Sequence, residues 1–163
     1  MKTLLLMRHA KSSWKDRKLK DRERPLTKRG KKNAHEMGVV LFKNELIPQL
    51  ILSSSVERSR HTVQEVINAC NYQGKILFLD KLFMAEADVV VDALKLLPDE
   101  AERVLVVGHN PGLDSMIILL TRQIEFLPAA GLANISLPIN SWKDLSKDSR
   151  GELIQLWRPK DLD

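Results

Sequence analysis

At 163 residues the chain can bury one hydrophobic core, and two separate domains would each be marginal, so a single domain over 1–163 is expected. Its 44% hydrophobic and 29% charged content falls in periodic runs without a biased segment, which argues against disorder. The net charge of +5 gathers between Arg8 and Lys32, interrupted only by Asp16, Asp21 and Glu23. Such a run is either a solvated loop or a surface that attracts phosphate, nucleic acid or an acidic protein. Trp14 is its one aromatic and no nucleic-acid motif accompanies it, so nucleic acid is not expected as a partner.

The predicted elements begin with Thr3–Met7, a buried strand too short for a signal peptide or a membrane span. With a single cysteine, Cys70, the chain has no internal disulfide, and a cytoplasmic location with no membrane partner is expected. Pro25-Leu26-Thr27 introduces a helix to about Phe42, with Thr27 as N-cap and Ala34, Met37, Gly38 and Leu41 on its inner face. Leu50–Leu52 is a second strand. It runs into Ser53-Ser54-Ser55, hydroxyls suited to capping a helix over Val56–Cys70. Lys75–Leu79 is a third strand, Val89–Leu97 a helix stopped by Pro98, and Arg103–Val107 a fourth strand. Gly108-His109-Asn110-Pro111-Gly112 then opens a helix to about Thr121. Asn134–Pro138 and Glu152–Trp157 form a closing pair of strands around a polar loop, Trp142–Arg150.

Strands alternating with helices, with continuously apolar strand cores, predict an α/β three-layer sandwich. Its central sheet is mainly parallel, helices cover both faces, and the C-terminal pair adds an antiparallel edge.

Three predicted strands end in polar residues of one chemical kind: Arg8-His9, the serines before Arg58, and Gly108-His109. Ligands of parallel α/β sheets sit outside the carboxyl ends of the strands, so these residues converge on one rim. Arginines there offer planar paired donors to phosphate oxygens, and helix starts add amides and a positive dipole end. A neutral imidazole placed in line with a phosphoryl group can attack phosphorus. Nearby cations lower its pKa and keep it neutral. A metal site is not expected, because there is no His-Glu-x-x-His, no cysteine pair and no carboxylate cluster beside His9 or His109. No other cofactor is indicated. His35 and His61 read as surface or structural residues, Cys70 as a small packing residue, and Lys11 and Arg60 as basic residues near the rim.

Four segments resemble the histidine phosphatase superfamily, the phosphoglycerate mutase-like proteins. Leu6-Met7-Arg8-His9-Ala10 is similar to the Arg-His-Gly signature, with Ala10 in place of glycine. Arg24-Pro25-Leu26-Thr27-Lys28-Arg29-Gly30 resembles the element that follows it. Ser54-Ser55-Val56-Glu57-Arg58 with Thr62 resembles the second-arginine motif, and Val107–Gly112 the second-histidine motif. The motifs are correctly ordered and reach a family-like Trp157-Arg158-Pro159 ending. Within the superfamily the resemblance is to the small SixA-type phosphohistidine phosphatases.

That resemblance implies a catalytic set of His9, Arg8, Arg58 and His109. His9 is the phosphorylated nucleophile, Arg8 and Arg58 bind phosphate with Arg24, and His109 donates to the phosphoryl oxygens. Only a small residue is needed at position 10, so Ala10 suits it. Many superfamily members carry an acidic proton donor. Lys81–Asp88 offers Glu86 or Asp88, although a carboxylate there also suits a helix start. The expected activity is metal-independent hydrolysis of phosphohistidine on a protein partner such as a phosphotransfer domain. The alternatives are a phosphomonoesterase or mutase for sugar phosphates or nucleotides, and a phosphate-binding module without turnover. Residues 80–103 leave room for about one helix at ~1.5 Å per residue, where relatives acting on small molecules carry larger lids.

Overall fold

In the computed structural model, which describes residues 1–162, every expected strand and helix is present. Six strands form one sheet: β1 (Lys2–Arg8), β2 (Leu50–Ser54), β3 (Lys75–Leu79), β4 (Arg103–Gly108), β5 (Leu132–Leu137) and β6 (Glu152–Trp157). Their order is β3-β2-β4-β1-β5-β6. The first four run parallel, β5 is antiparallel to β1, and β6 is antiparallel to β5. Four helices connect them: α1 (Lys28–Lys43), α2 (Glu57–Cys70), α3 (Ala87–Lys95) and α4 (Gly112–Thr121).

The alternation of side chains along a strand divides the core in two. Leu4, Leu6, Leu52, Val104 and Val106 pack against α3 and α4 on one face. Leu5, Met7, Ile51, Leu105 and Val107 pack against α1 and α2 on the other. Central strands buried on both faces explain the unbroken apolar runs. Arg8 lies level with Gly108, and Ser53 with Val107, so β1, β2 and β4 end together. This register brings sequence-distant strand ends to one rim.

Three local expectations are corrected. The serine cluster does not cap α2, whose N-cap is Val56 with no side-chain hydrogen bond. Ser53 and Ser54 instead extend β2 and are buried, while Ser55 Oγ donates to the Asp80 carboxylate. The segment 142–150 is not a simple polar loop. Trp142 is fully buried, and its indole N–H donates to the Ala101 carbonyl at 2.6 Å. Finally, the fifth strand begins at Leu132, two residues before the predicted start. Thr27 does cap α1, accepting from the Gly30 amide at 2.9 Å. No helix among the described residues is long and apolar enough to cross a membrane.

Candidate active site

The loop leaving β1 is fixed to its surroundings by backbone bonds. The His9 amide donates to the Gly108 carbonyl at 3.0 Å, tying the end of β1 to β4. On the other side, the Ala130 amide reaches the carbonyls of Arg8 and His9 at 3.1 and 3.2 Å. Ala130 adopts φ 63°, a left-handed conformation unfavourable for a residue with a Cβ, and is held there by full burial. Ala10 is fully buried and its amide donates to Thr62 Oγ1 at 2.9 Å, while that hydroxyl donates to the Arg58 carbonyl at 2.7 Å. One threonine on α2 therefore joins the His9 loop to the helix carrying Arg58. Gly30 permits the close approach of α1 to the same loop, since a Cβ there would collide with the Lys11 carbonyl.

These constraints gather Arg8, His9, Arg24, Arg58 and His109 around one cavity of about 370 Å³. Lys11, Ser12, Trp14, Met84, Asn110 and Ala129 complete its lining. The rings of His9 and His109 are 5.1 Å apart. Arg58 and Arg24 are both buried, and a single carboxylate, Asp21, bridges them. Asp21 accepts from Arg24 Nη1 at 2.9 Å and from Arg58 Nη2 at 3.3 Å, and its backbone carbonyl accepts from Arg58 Nη1 at 2.9 Å. Arg24 also donates to the Ser13 carbonyl and to Ser12 Oγ, and its guanidinium stacks 3.2 Å from the centre of the Trp14 ring. Arg8 Nη1 donates to the Leu127 carbonyl at 3.1 Å, while its buried Nε has no partner among the described residues.

The histidines are tuned by burial and by this positive field. His9 Nδ1 lies 2.8 Å from the Ala10 carbonyl, which accepts only a protonated nitrogen and so leaves the Nε2 lone pair free. Burial lowers the His9 pKa from 6.5 to about 4, opposed by that hydrogen bond and reinforced by Arg58, Arg8 and Arg24. His109 is lowered to about 3 by burial first, then by the charges of His9 and Arg58. Its Nε2 pairs with Ser54 Oγ at 2.8 Å, and its buried Nδ1 has no partner among the described residues. Asp21 would be raised by burial, but the hydrogen bond from Arg24 and the charge of Arg58 hold its carboxyl below the usual range. A neutral, correctly tautomeric imidazole beside fixed cations is equipped to attack an electrophile carrying negative charge.

Glu86 stands apart. It is exposed at the N-cap of α3 and lines a neighbouring depression with Asp88, Pro111 and Ser115, which shares only Met84 with the His9 cavity. His61 pairs with Glu57 at 3.1 Å, His35 is exposed, and Cys70 is buried. No group of three or more His, Cys, Asp or Glu capable of holding a metal occurs among the described residues. Asp21, Ser54 and Trp14 are the site residues that strand-end reasoning passes over. Asp21 and Trp14 lie in a basic loop whose path no periodicity predicts, and Ser54 reads as a helix cap until its partner is seen.

The profile of the histidine phosphatase superfamily (branch 1) matches residues 4–82. A solved structure of a SixA protein from Nakamurella multipartitia superposes with a TM-score of 0.87 at 25% identity, covering 97% of this chain and 96% of that one. A second, of a SixA protein from Agrobacterium tumefaciens, gives 0.83 at 25% identity over 97% and 98%. An uncharacterized chloroplastic protein of Arabidopsis thaliana is 28% identical over 86% of this chain and 69% of its own length. The profile covers the part of the chain that carries His9 and Arg58, and the SixA folds cover 97% of it, so the chain is similar to the histidine phosphatase superfamily in sequence over residues 4–82 and in fold over nearly its whole length.

Proposed function

We propose that this phosphatase is cytoplasmic and hydrolyses phosphohistidine on a protein partner, through a phospho-His9 intermediate and without a metal ion. The observation that carries the reading is the lining of the His9 cavity, which among the described residues has Arg8, Lys11, Arg24 and Arg58, two histidines, and no carboxylate. Arg8, Arg24 and Arg58 hold the phosphoryl oxygens, supplying the positive charge that metal ions provide in other phosphoryl-transfer enzymes. His9 Nε2 forms a bond to phosphorus as the bond from phosphorus to the substrate's imidazole breaks. The second nitrogen of that imidazole is protonated, so the ring leaves neutral. Water then attacks phospho-His9, releasing inorganic phosphate and restoring the imidazole. His109 donates a hydrogen bond to a phosphoryl oxygen, and Ser54 orients it.

Quenching with labelled substrate tests the intermediate. Label is expected on His9 as a phosphoramidate, lost in acid and retained in base, with turnover insensitive to chelator. Acid-stable label on Ser12, Ser54 or Ser55, or activity restored only by added divalent metal, rejects the reading.

The pH profile is expected to reflect the lowered pKa. With the free-enzyme His9 near 4 rather than 6.5, log kcat/KM should show no acid limb at 6.5 and should fall only near pH 4. Both folded-state histidine values lie below the unfolded one, so acidification protonates the unfolded chain first. Thermal stability should therefore drop as pH falls from 6.5 toward 4. A kinetic pKa close to 6.5 contradicts the neutral nucleophile.

Asp21→Asn should lower kcat/KM by about tenfold, because the two buried guanidiniums lose the charge that fixes their spacing. Its cost in stability should stay within about 1 kcal/mol, since the carboxylate is largely exposed. Increased activity would mean that Asp21 competes with phosphate instead of positioning the arginines.

A further inference from the structure

A second cavity of about 650 Å³ adjoins the His9 cavity and shares Arg8, Lys11, Asn110 and Ala129 with it. It runs between the start of α1, the connection from α4 to β5, and the turn after β6. Arg8, Lys11, Arg29, Arg158 and Lys160 bring positive charge to this groove. Among the described residues its one carboxylate is Asp114, which accepts from the Leu127 amide at 2.8 Å. Arg158 is paired with Glu125 at 3.0 Å, but Lys11 and Arg29 have no carboxylate within 4.0 Å among the described residues, and both are exposed. One wall is apolar, built from Phe126, Leu127, Pro128 and Ala129, and the Phe126 side chain is 66% exposed. Arg29, Phe126, Arg158 and Lys160 lie outside the lining of the His9 cavity, and the groove is larger than the reaction cavity.

We propose that this groove binds an acidic stretch of polypeptide flanking the phosphorylated histidine, which deepens and rests on the protein-substrate reading above. Carboxylates of that stretch meet Lys11, Arg29 and Lys160, while its aliphatic parts lie against Phe126 and Pro128. The shared rim places the flanking chain next to Arg8 when the phosphoryl group is in the His9 cavity. The occupant is a peptide rather than nucleic acid because one wall is apolar and Phe126 is the only aromatic among the described residues that line the groove.

Two synthetic peptides test this, each carrying one histidine phosphorylated with phosphoramidate. One is flanked by Asp and Glu, the other by Ser and Gln at the same positions. The wild-type protein is expected to hydrolyse the acidic peptide with a kcat/KM about tenfold higher, an advantage that shrinks as salt is raised to about 0.5 M. The double variant Arg29→Glu/Lys160→Glu should lose that preference while hydrolysing free phosphohistidine at the wild-type rate. Equal wild-type rates on the two peptides overturn the groove proposal and leave phosphohistidine hydrolysis standing. So does a variant that slows both peptides and free phosphohistidine alike. If the wild type hydrolyses neither peptide nor free phosphohistidine but does hydrolyse sugar phosphates, the functional reading falls and the groove proposal falls with it.

Discussion

His9→Ala is expected to abolish turnover, with a loss of at least about 10⁴-fold, because the proposed covalent intermediate forms on that imidazole. The fold should survive. His9 lies beyond the last residue of β1, outside the apolar clusters, and among the described residues its only side-chain hydrogen bond is to the neighbouring Ala10 carbonyl. Circular dichroism and thermal melting should therefore match the wild type, and phosphate binding should persist because the arginines remain. Arg58→Ala and His109→Ala act differently. Each removes a donor to the transition state and is expected to cost ~2.7–4 kcal/mol, or roughly a hundredfold or more in rate. Arg58→Ala also strips Asp21 of one of its two cations, so some loss of stability should accompany it. Near-normal activity in purified His9→Ala protein would end the proposal.

Discrimination between leaving groups is the second large effect. An alkyl phosphate expels an alkoxide whose conjugate acid has a pKa of about 15, close to that of water. That departure needs a proton in the transition state, and a positioned acid supplies typically ~10²–10⁴-fold. The His9 cavity has no carboxylate in its lining to give it. Phosphohistidine brings its own proton and leaves as imidazole, whose conjugate acid has a pKa of about 6.5. A substrate series should therefore show kcat/KM for phosphohistidine exceeding that for phosphoserine or sugar phosphates by about 10²-fold or more, with aryl phosphates between. Glu86→Gln should change phosphohistidine turnover by less than about twofold, since an exposed N-cap residue lining a separate depression does not reach the reacting atoms. If Glu86→Gln cripples the enzyme and sugar phosphates are its best substrates, the acid is Glu86 and the small-molecule reading replaces this one.

The two halves of the recognition problem were not equally open to sequence reasoning. Buried parallel strands must be apolar throughout, so Leu4–Met7 and Val104–Val107 announce themselves, and the first polar side chain after each, Arg8 or His109, marks the rim of the sheet. That logic is enough to place Arg8, His9, Arg58 and His109 together, because strand order and a common register do the rest. It fails for side chains whose partner is set by packing between distant segments. Ser54 could be a helix cap or a histidine's partner, and only the crossing of β2 beside β4 decides for the histidine. Asp21 and Trp14 sit in a loop without periodicity, where the position of each depends on the buried guanidinium of Arg24 folding over it. Trp142 lies in a polar segment, yet its large ring fills the space between α3 and the sheet and its N–H finds the Ala101 carbonyl. Periodicity reports which face of a regular element is apolar. A side chain at a strand end gains its role from contacts with distant segments, as the pairing of Ser54 with His109 across 55 residues shows, and those contacts exist only once the sheet has assembled.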